Sequence, residues 1–247
     1  MNTSFLFLCL LTIICWAVAV FLHSKKDSIT LTPLYAYVAI LTVLTHNLSD
    51  LGFKLVLNDW VFIVSSFSMF TTLMFCILLL YLFEGPRAGR FALWIILFSS
   101  FFYIGVVFFL GFITDTSSWI LIDSARISYY FWSILAIIID VIFLAIAWEV
   151  LSRATSLNLL LRVFVIIFGV FALDTLIFTT GVFGTSEMYL SILQGNLLMR
   201  LALSAFGAPV MAYFLIAGGF SEDKRDRPKS VLEILNFQSD LGEKKTF

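Results

Sequence analysis

The sequence predicts an all-α polytopic membrane protein of seven transmembrane helices, with its N-terminus outside and its C-terminus in the cytoplasm. Three observations predict it. The chain is 61% hydrophobic and only 13% charged, whereas a soluble domain carries about 25% charged residues. Seven stretches reach the ~20 apolar residues that a helix needs to cross the hydrocarbon core. The basic residues fall on alternate loops, as they do when one side of the membrane is the cytoplasm.

The first stretch, Phe5–Leu22, has no basic residue ahead of it and Lys25 and Lys26 behind it. That is the wrong flank for a cleaved signal peptide, so it reads as a helix. The remaining stretches are Pro33–Leu57, Trp60–Phe83, Phe91–Ile113, Ile127–Leu151, Leu159–Phe183 and Tyr189–Ile216. Between them lie short polar separators. Lys25 and Lys26 mark the first, Arg87 and Arg90 the third, and Arg153 with Arg162 at its edge the fifth, while the tail holds Lys224, Arg225, Arg227 and Lys229. The intervening loops are nearly bare, with Lys54 and Arg126 at their edges. A miscounted helix would scramble this alternation, so the charges support the count as well as the orientation.

The chain therefore divides into a transmembrane helical domain, residues 1–218, and a cytoplasmic tail, residues 219–247. In the tail Pro228 suits a first helical turn. Val231, Leu232, Leu235 and Phe237 would give that helix an apolar face for the membrane surface or a protein partner. The formal net charge of −1 gives no basis for nucleic-acid binding. Cys9, Cys15 and Cys76 lie in apolar runs without metal-ligand spacing and read as packing residues.

Ionisable residues at bilayer depth cost about 2.5–3.5 kcal/mol each on insertion scales, and persist when paired or facing a cavity. In the second stretch His46, Asp50 and Lys54 are spaced to share one helix face, with Asn47 beside them. Asp50 and Lys54 can pair, or the stripe can wall an outward-facing pocket. The fifth holds Asp140, about 21 Å along the axis from Arg126 and so unable to reach it. The sixth holds Asp174 and the seventh Arg200, both near mid-depth. If those helices are neighbours, the two form a buried ion pair, either fixing helix register or poised at a substrate site. Gly207 and Pro209 interrupt the seventh stretch and permit a kink.

Catalytic and cofactor motifs are missing. The sequence has no Walker loop, dinucleotide glycine motif, His-Glu-x-x-His pair or Gly-x-Ser-x-Gly elbow, and two histidines cannot build a three-His metal site. The seventh helix lacks a lysine for a retinal Schiff base. No enzyme activity, cofactor or metal is expected.

In order along the chain, helices two to seven resemble the vitamin-uptake or queuosine-precursor transporter family (VUT). Phe-Glu-Gly-Pro-Arg-Ala-Gly-Arg, Phe83 to Arg90, is similar to that family's Gly-x-x-x-Ala-Arg-Arg turn. Ser-Ala-Arg-Ile at Ser124 to Ile127 and Asp-Val-Ile-Phe at Asp140 to Phe143 resemble its Ala-Arg-Ile and Asp-Val-x-x-Phe. Asp-Thr-Leu-Ile-Phe, Asp174 to Phe178, resembles its Asp-Thr-x-x-Phe. Arg200 and then Pro209 stand where the family has a lysine and then a proline. The resemblance implies a six-helix core with one extra N-terminal helix, and uptake of a small heterocycle such as a nucleobase- or vitamin-like solute. It implies that Asp140, Asp174 and Arg200 line or brace the site, and it matches Asn47 to an asparagine of the family's first helix.

The leading expectation is a transporter in a prokaryotic cytoplasmic membrane, with Asn47, Asp50, Asp140, Asp174 and Arg200 around a central polar cavity. One alternative is a ligand sensor signalling to a cytoplasmic or membrane partner through the tail, motivated by the apolar third helix, the added first helix and the tail itself. Another is a structural subunit of a membrane complex. The expected partners are the bilayer, a small-molecule ligand and a protein on the tail.

Overall fold

The computed structural model describes residues 3–57, 60–114, 124–154 and 158–217. The described elements are α1 (Thr3–Ser24), the one-turn α2 (Lys26–Ile29), α3 (Thr32–Asp50), strands β1 (Lys54–Leu57) and β2 (Trp60–Ile63), a π-helical turn (Ser66–Phe70) that runs into α4 (Thr71–Glu84), α5 (Pro86–Thr114), α6 (Ser124–Ala154), α7 (Leu159–Phe183) and α8 (Tyr189–Ala217). The tail helix expected after Pro228 lies outside the described residues.

This is an all-α polytopic membrane protein. Among the described residues, six helices are long and apolar enough to cross a membrane, counting the π-turn with α4. The seventh long helix, α3, has 19 residues, about 28 Å of axis. Its last two turns carry His46, Asn47, Ser49 and Asp50, which lower its hydropathy.

Local chemistry sets several helix ends. Gly85 stops α4 with φ of 87°, and Pro86 opens α5, so the Glu-Gly-Pro-Arg turn uses the residues suited to a left-handed stop and a helical start. The side chain of Asn158 caps α7 by accepting from the Leu161 amide at 2.8 Å. Helix α8 continues past Pro209.

The prediction fails between the second and third stretches. The structure ends α3 at Asp50 and places Gly52 at φ of 65°. An antiparallel ribbon follows, with Lys54 opposite Ile63 and Leu57 opposite Trp60. The local signal was present: runs rich in Val, Ile, Phe and Trp flank Asn58-Asp59, a hairpin pattern. A 20-residue hydropathy average cannot tell such strands from helix. An open strand edge is not tolerated against lipid, so the ribbon must lie at the membrane surface or against protein.

The contacts fix the two ends of the bundle. At one end the Phe5 ring of α1 meets Phe62 and Phe67. At the other, His23 of α1 packs on Phe83 of α4 and Phe214 of α8. There Glu84 Oε1 accepts from Lys26 Nζ at 2.6 Å and lies 3.0 Å from His23 Nε2. Helices α6, α7 and α8 pack successively. Helix α4 forms the axis, with every residue from Thr71 to Leu82 buried. Helix α5 exposes Phe91, Trp94, Phe98, Phe101 and Phe102, a surface suited to acyl chains.

The helix that the sequence set apart as additional is packed into the bundle. Trp16 of α1 stacks on Phe75 of α4 at 5.0 Å and an interplanar angle of 9°. On its other side it approaches α8 at Gly207, where an added Cβ would lie 2.7 Å from Trp16 Cη2. Gly207 therefore leaves room for the indole. We expect Gly207→Ala to destabilise the purified protein by about 1–3 kcal/mol through overpacking. Trp16→Phe should restore part of the loss in the double variant; an unchanged thermal midpoint for Gly207→Ala would contradict this contact.

Candidate functional site

The neighbouring packing of α7 and α8 brings Asp174 and Arg200 together. Arg200 Nη2 donates to Asp174 Oδ2 at 2.6 Å and to Ser66 Oγ at 2.5 Å. The guanidinium lies 5.0 Å from both the Phe70 and the Phe171 ring centroids. Cation–π attraction and the paired carboxylate together offset the desolvation of this buried charge. The other terminal nitrogen, Nη1, is buried and finds no hydrogen-bond partner among the described residues.

A small cavity opens beside this pair. Thr45 and Ser49 of α3 line it one helical turn apart, with Ser65 and Ser66 from the segment after β2, Ser133 of α6 and Asp174 of α7. Its aromatic walls are Phe70, Tyr129 and Phe178, the last two in edge contact at 5.0 Å. Ser49 and Ser65 join across the cavity wall at 2.7 Å. The space measures ≈ 20 Å³ for water centres, that of about one or two ordered waters. Hydroxyls, one carboxylate and aromatic faces suit a planar solute that is both stacked and hydrogen-bonded.

Asp50 belongs to an adjoining cluster. Its Oδ2 accepts from Tyr103 of α5 at 2.7 Å and Tyr130 of α6 at 2.6 Å. His46 lies one turn deeper on α3, with Nε2 2.8 Å from Ser100 Oγ and its ring stacked on Tyr103 at 5.7 Å. The predicted Asp50–Lys54 pair is corrected. The helix ends between the two residues, and Lys54 on β1 lies instead over the Phe183 ring, 5.6 Å from its centroid. Position 54 thus does not continue the stripe of 46 and 50.

Two further expectations are altered. Asn47 is exposed, on a different face of α3 from Thr45 and Ser49, and does not line the cavity. Asp140 is completely buried but lies two turns along α6 from Ser133, about 10 Å deeper. It is within electrostatic reach of Asp174 and Arg200. Neither of its carboxylate oxygens has a hydrogen-bond partner among the described residues. It is not among the residues that line the cavity. Among the described residues no group of three His, Cys, Asp or Glu side chains could hold a metal ion.

Reading the sequence by charge missed the hydroxyl groups that form most of the cavity: Thr45, Ser49, Ser65, Ser66, Tyr129 and Ser133. Hydroxyls are far less costly to bury than charges, so they do not stand out against an apolar background. The paired Ser65-Ser66 just after the hairpin pattern was the one local signal.

The sequence matches the family model described as vitamin uptake-like sensor over residues 16–215. No curated protein and no solved structure matches the chain. The match supports the resemblance to vitamin-uptake proteins at that level and does not single out the transporter family. It begins inside α1, in keeping with the packing of that helix into the bundle. The match spans most of the chain, from Trp16 to Leu215, and the chain belongs to the vitamin uptake-like sensors.

Proposed function

We propose that this protein binds a small planar heterocycle, vitamin- or nucleobase-like, within the membrane and acts as a sensor of it. The observation that carries the reading is the Arg200–Asp174–Ser66 centre beside a hydroxyl-lined cavity with aromatic walls. The loop charges support an outside N-terminus, and in that orientation the ribbon and the cavity would face the outer side of the membrane. Below the cavity, the buried apolar run Leu73 to Leu82 of α4 and the Glu84–Lys26 bridge close the inner end. That closure favours sensing over passage, and the tail is the segment through which a cytoplasmic partner would be informed.

Transport is the second reading. Asp140 favours it, because a buried carboxylate deeper than the cavity could form part of an inward path. One experiment separates the two. The purified full chain is screened for thermal stabilisation by pyridoxine, thiamine, riboflavin, hypoxanthine and 7-deazaguanine, and each binder is then tested for accumulation in proteoliposomes. Stabilisation without accumulation above empty liposomes is the result expected of a sensor. Accumulation would replace sensing with transport, and the absence of any stabilising compound would overturn ligand binding itself.

A further inference from the structure

We propose that the cavity is a receptor for hydrogen-bond donors, and that its ligand is a heterocycle whose exocyclic amino group enters it. The inference rests on the ligand-binding reading above and names the class of ligand. It starts from where the hydrogens of the cavity wall already go.

A hydroxyl has one hydrogen to give and two lone pairs with which to accept. Thr45 gives its hydrogen to the Leu41 carbonyl oxygen of its own helix at 2.7 Å, so toward the cavity it only accepts. Ser49 and Ser65 meet at 2.7 Å, and the Tyr129 hydroxyl bonds to both. A ring of three hydroxyls spends each hydrogen on the next oxygen and leaves lone pairs facing outward. Asp174, the carboxylate partner of Arg200, accepts only. Arg200 stands beside the cavity without lining it. The two hydrogens on its Nη2 go to Asp174 and Ser66. Among the polar side chains of the wall, hydrogens remain to be given by Ser66 and Ser133.

The wall is therefore rich in acceptors, and one of them is charged. A ligand carbonyl or carboxylate placed there would meet lone pairs, and would lose its bonds to water without replacement. An amino group on an aromatic ring is the complement. Its nitrogen lone pair is delocalised into the ring, so it gives two hydrogens and accepts almost nothing. A hydrogen bond that it gives to Asp174 is charge-assisted and among the stronger kinds. Size agrees. Space of ≈ 20 Å³ for water centres, that of about one or two waters, takes an amino nitrogen with the packed wall left in place. The cavity recognises the substituent rather than the whole ring.

The test is ligand preference in the detergent-purified full chain, read as thermal stabilisation. The probes are adenine against hypoxanthine and cytosine against uracil, pairs that exchange an amino group for a carbonyl on the same ring. The amino member should bind about tenfold to a hundredfold more tightly, the worth of a hydrogen bond to a charged group against an unmatched acceptor. Thr45→Val keeps the shape and removes one acceptor. It should weaken the amino members about fivefold and leave the carbonyl members unchanged. Ser49→Ala opens the hydroxyl ring and frees a hydrogen, so it should narrow the preference. Equal or tighter binding of hypoxanthine and uracil would overturn the proposal while ligand binding stands. If none of the four binds, the heterocycle reading fails, and two ions small enough to probe the cavity decide its polarity. Acetamidinium, which only donates, should then protect the wild type more than Thr45→Val. Protection by acetate instead, or no difference between the two proteins, would overturn the donor site.

Discussion

Replacing Arg200 by leucine is expected to lower the stability of the purified protein by about 3–5 kcal/mol. This is the effect of removing one partner from a buried ion pair and leaving the other charge unmatched. The variant loses the donor to Asp174 and Ser66 and the cation between Phe70 and Phe171 in one step. Asp174→Leu should be of the same order, since it strands the guanidinium. For a chain of this size such a loss lowers the thermal midpoint by roughly 10 °C or more. Midpoints within a degree or two of wild type would mean that the pair contributes little. The double exchange Asp174→Arg with Arg200→Asp then separates structure from site. Recovery of stability without ligand binding would show that Arg200 and Asp174 have directional roles toward a solute. Recovery of both would make the pair a structural tie between α7 and α8.

Asp50→Ala should rank second, at about 2–3 kcal/mol. It removes the acceptor shared by the Tyr103 and Tyr130 hydroxyls, so two donors from different helices lose a charged partner. Partial exposure of Asp50 places the figure below the sum of two such bonds. Asp50→Asn keeps an oxygen acceptor and should retain most of the stability. Thermal unfolding of the two variants side by side is the measurement. Equal losses from alanine and asparagine would show that the negative charge, rather than the acceptor oxygen, holds α3, α5 and α6 together at this end.

The contrast with Lys54 has a clear physical origin. Residues 46, 50 and 54 share a face only if the helix continues, and the sequence places Gly52 between the last two. Helical periodicity read across that glycine pairs Asp50 with Lys54. The structure gives Asp50 to tyrosines from α5 and α6 and lays Lys54 over Phe183. Asn47 fails for a related reason. Membership in a polar stretch does not settle which way a residue faces, and two positions of offset along α3 separate the cavity face of Thr45 and Ser49 from exposure.

By itself the sequence determined that this chain is a bundle of long apolar helices, where most of them begin and end, and that Asp140, Asp174 and Arg200 lie within it. Those features follow from local composition: a 20-residue apolar run has few alternatives to a membrane helix, and Asp174 and Arg200 are conspicuous against such a background. The tertiary structure decided the rest. It cut two expected helices short to make the ribbon and joined Arg200 to Ser66 across 134 positions of chain. It set Asp140 beneath the cavity and packed α1 into the bundle through Trp16. These outcomes depend on which helix faces meet, and hydroxyls and small residues that are inconspicuous to hydropathy acquire their roles only from that meeting.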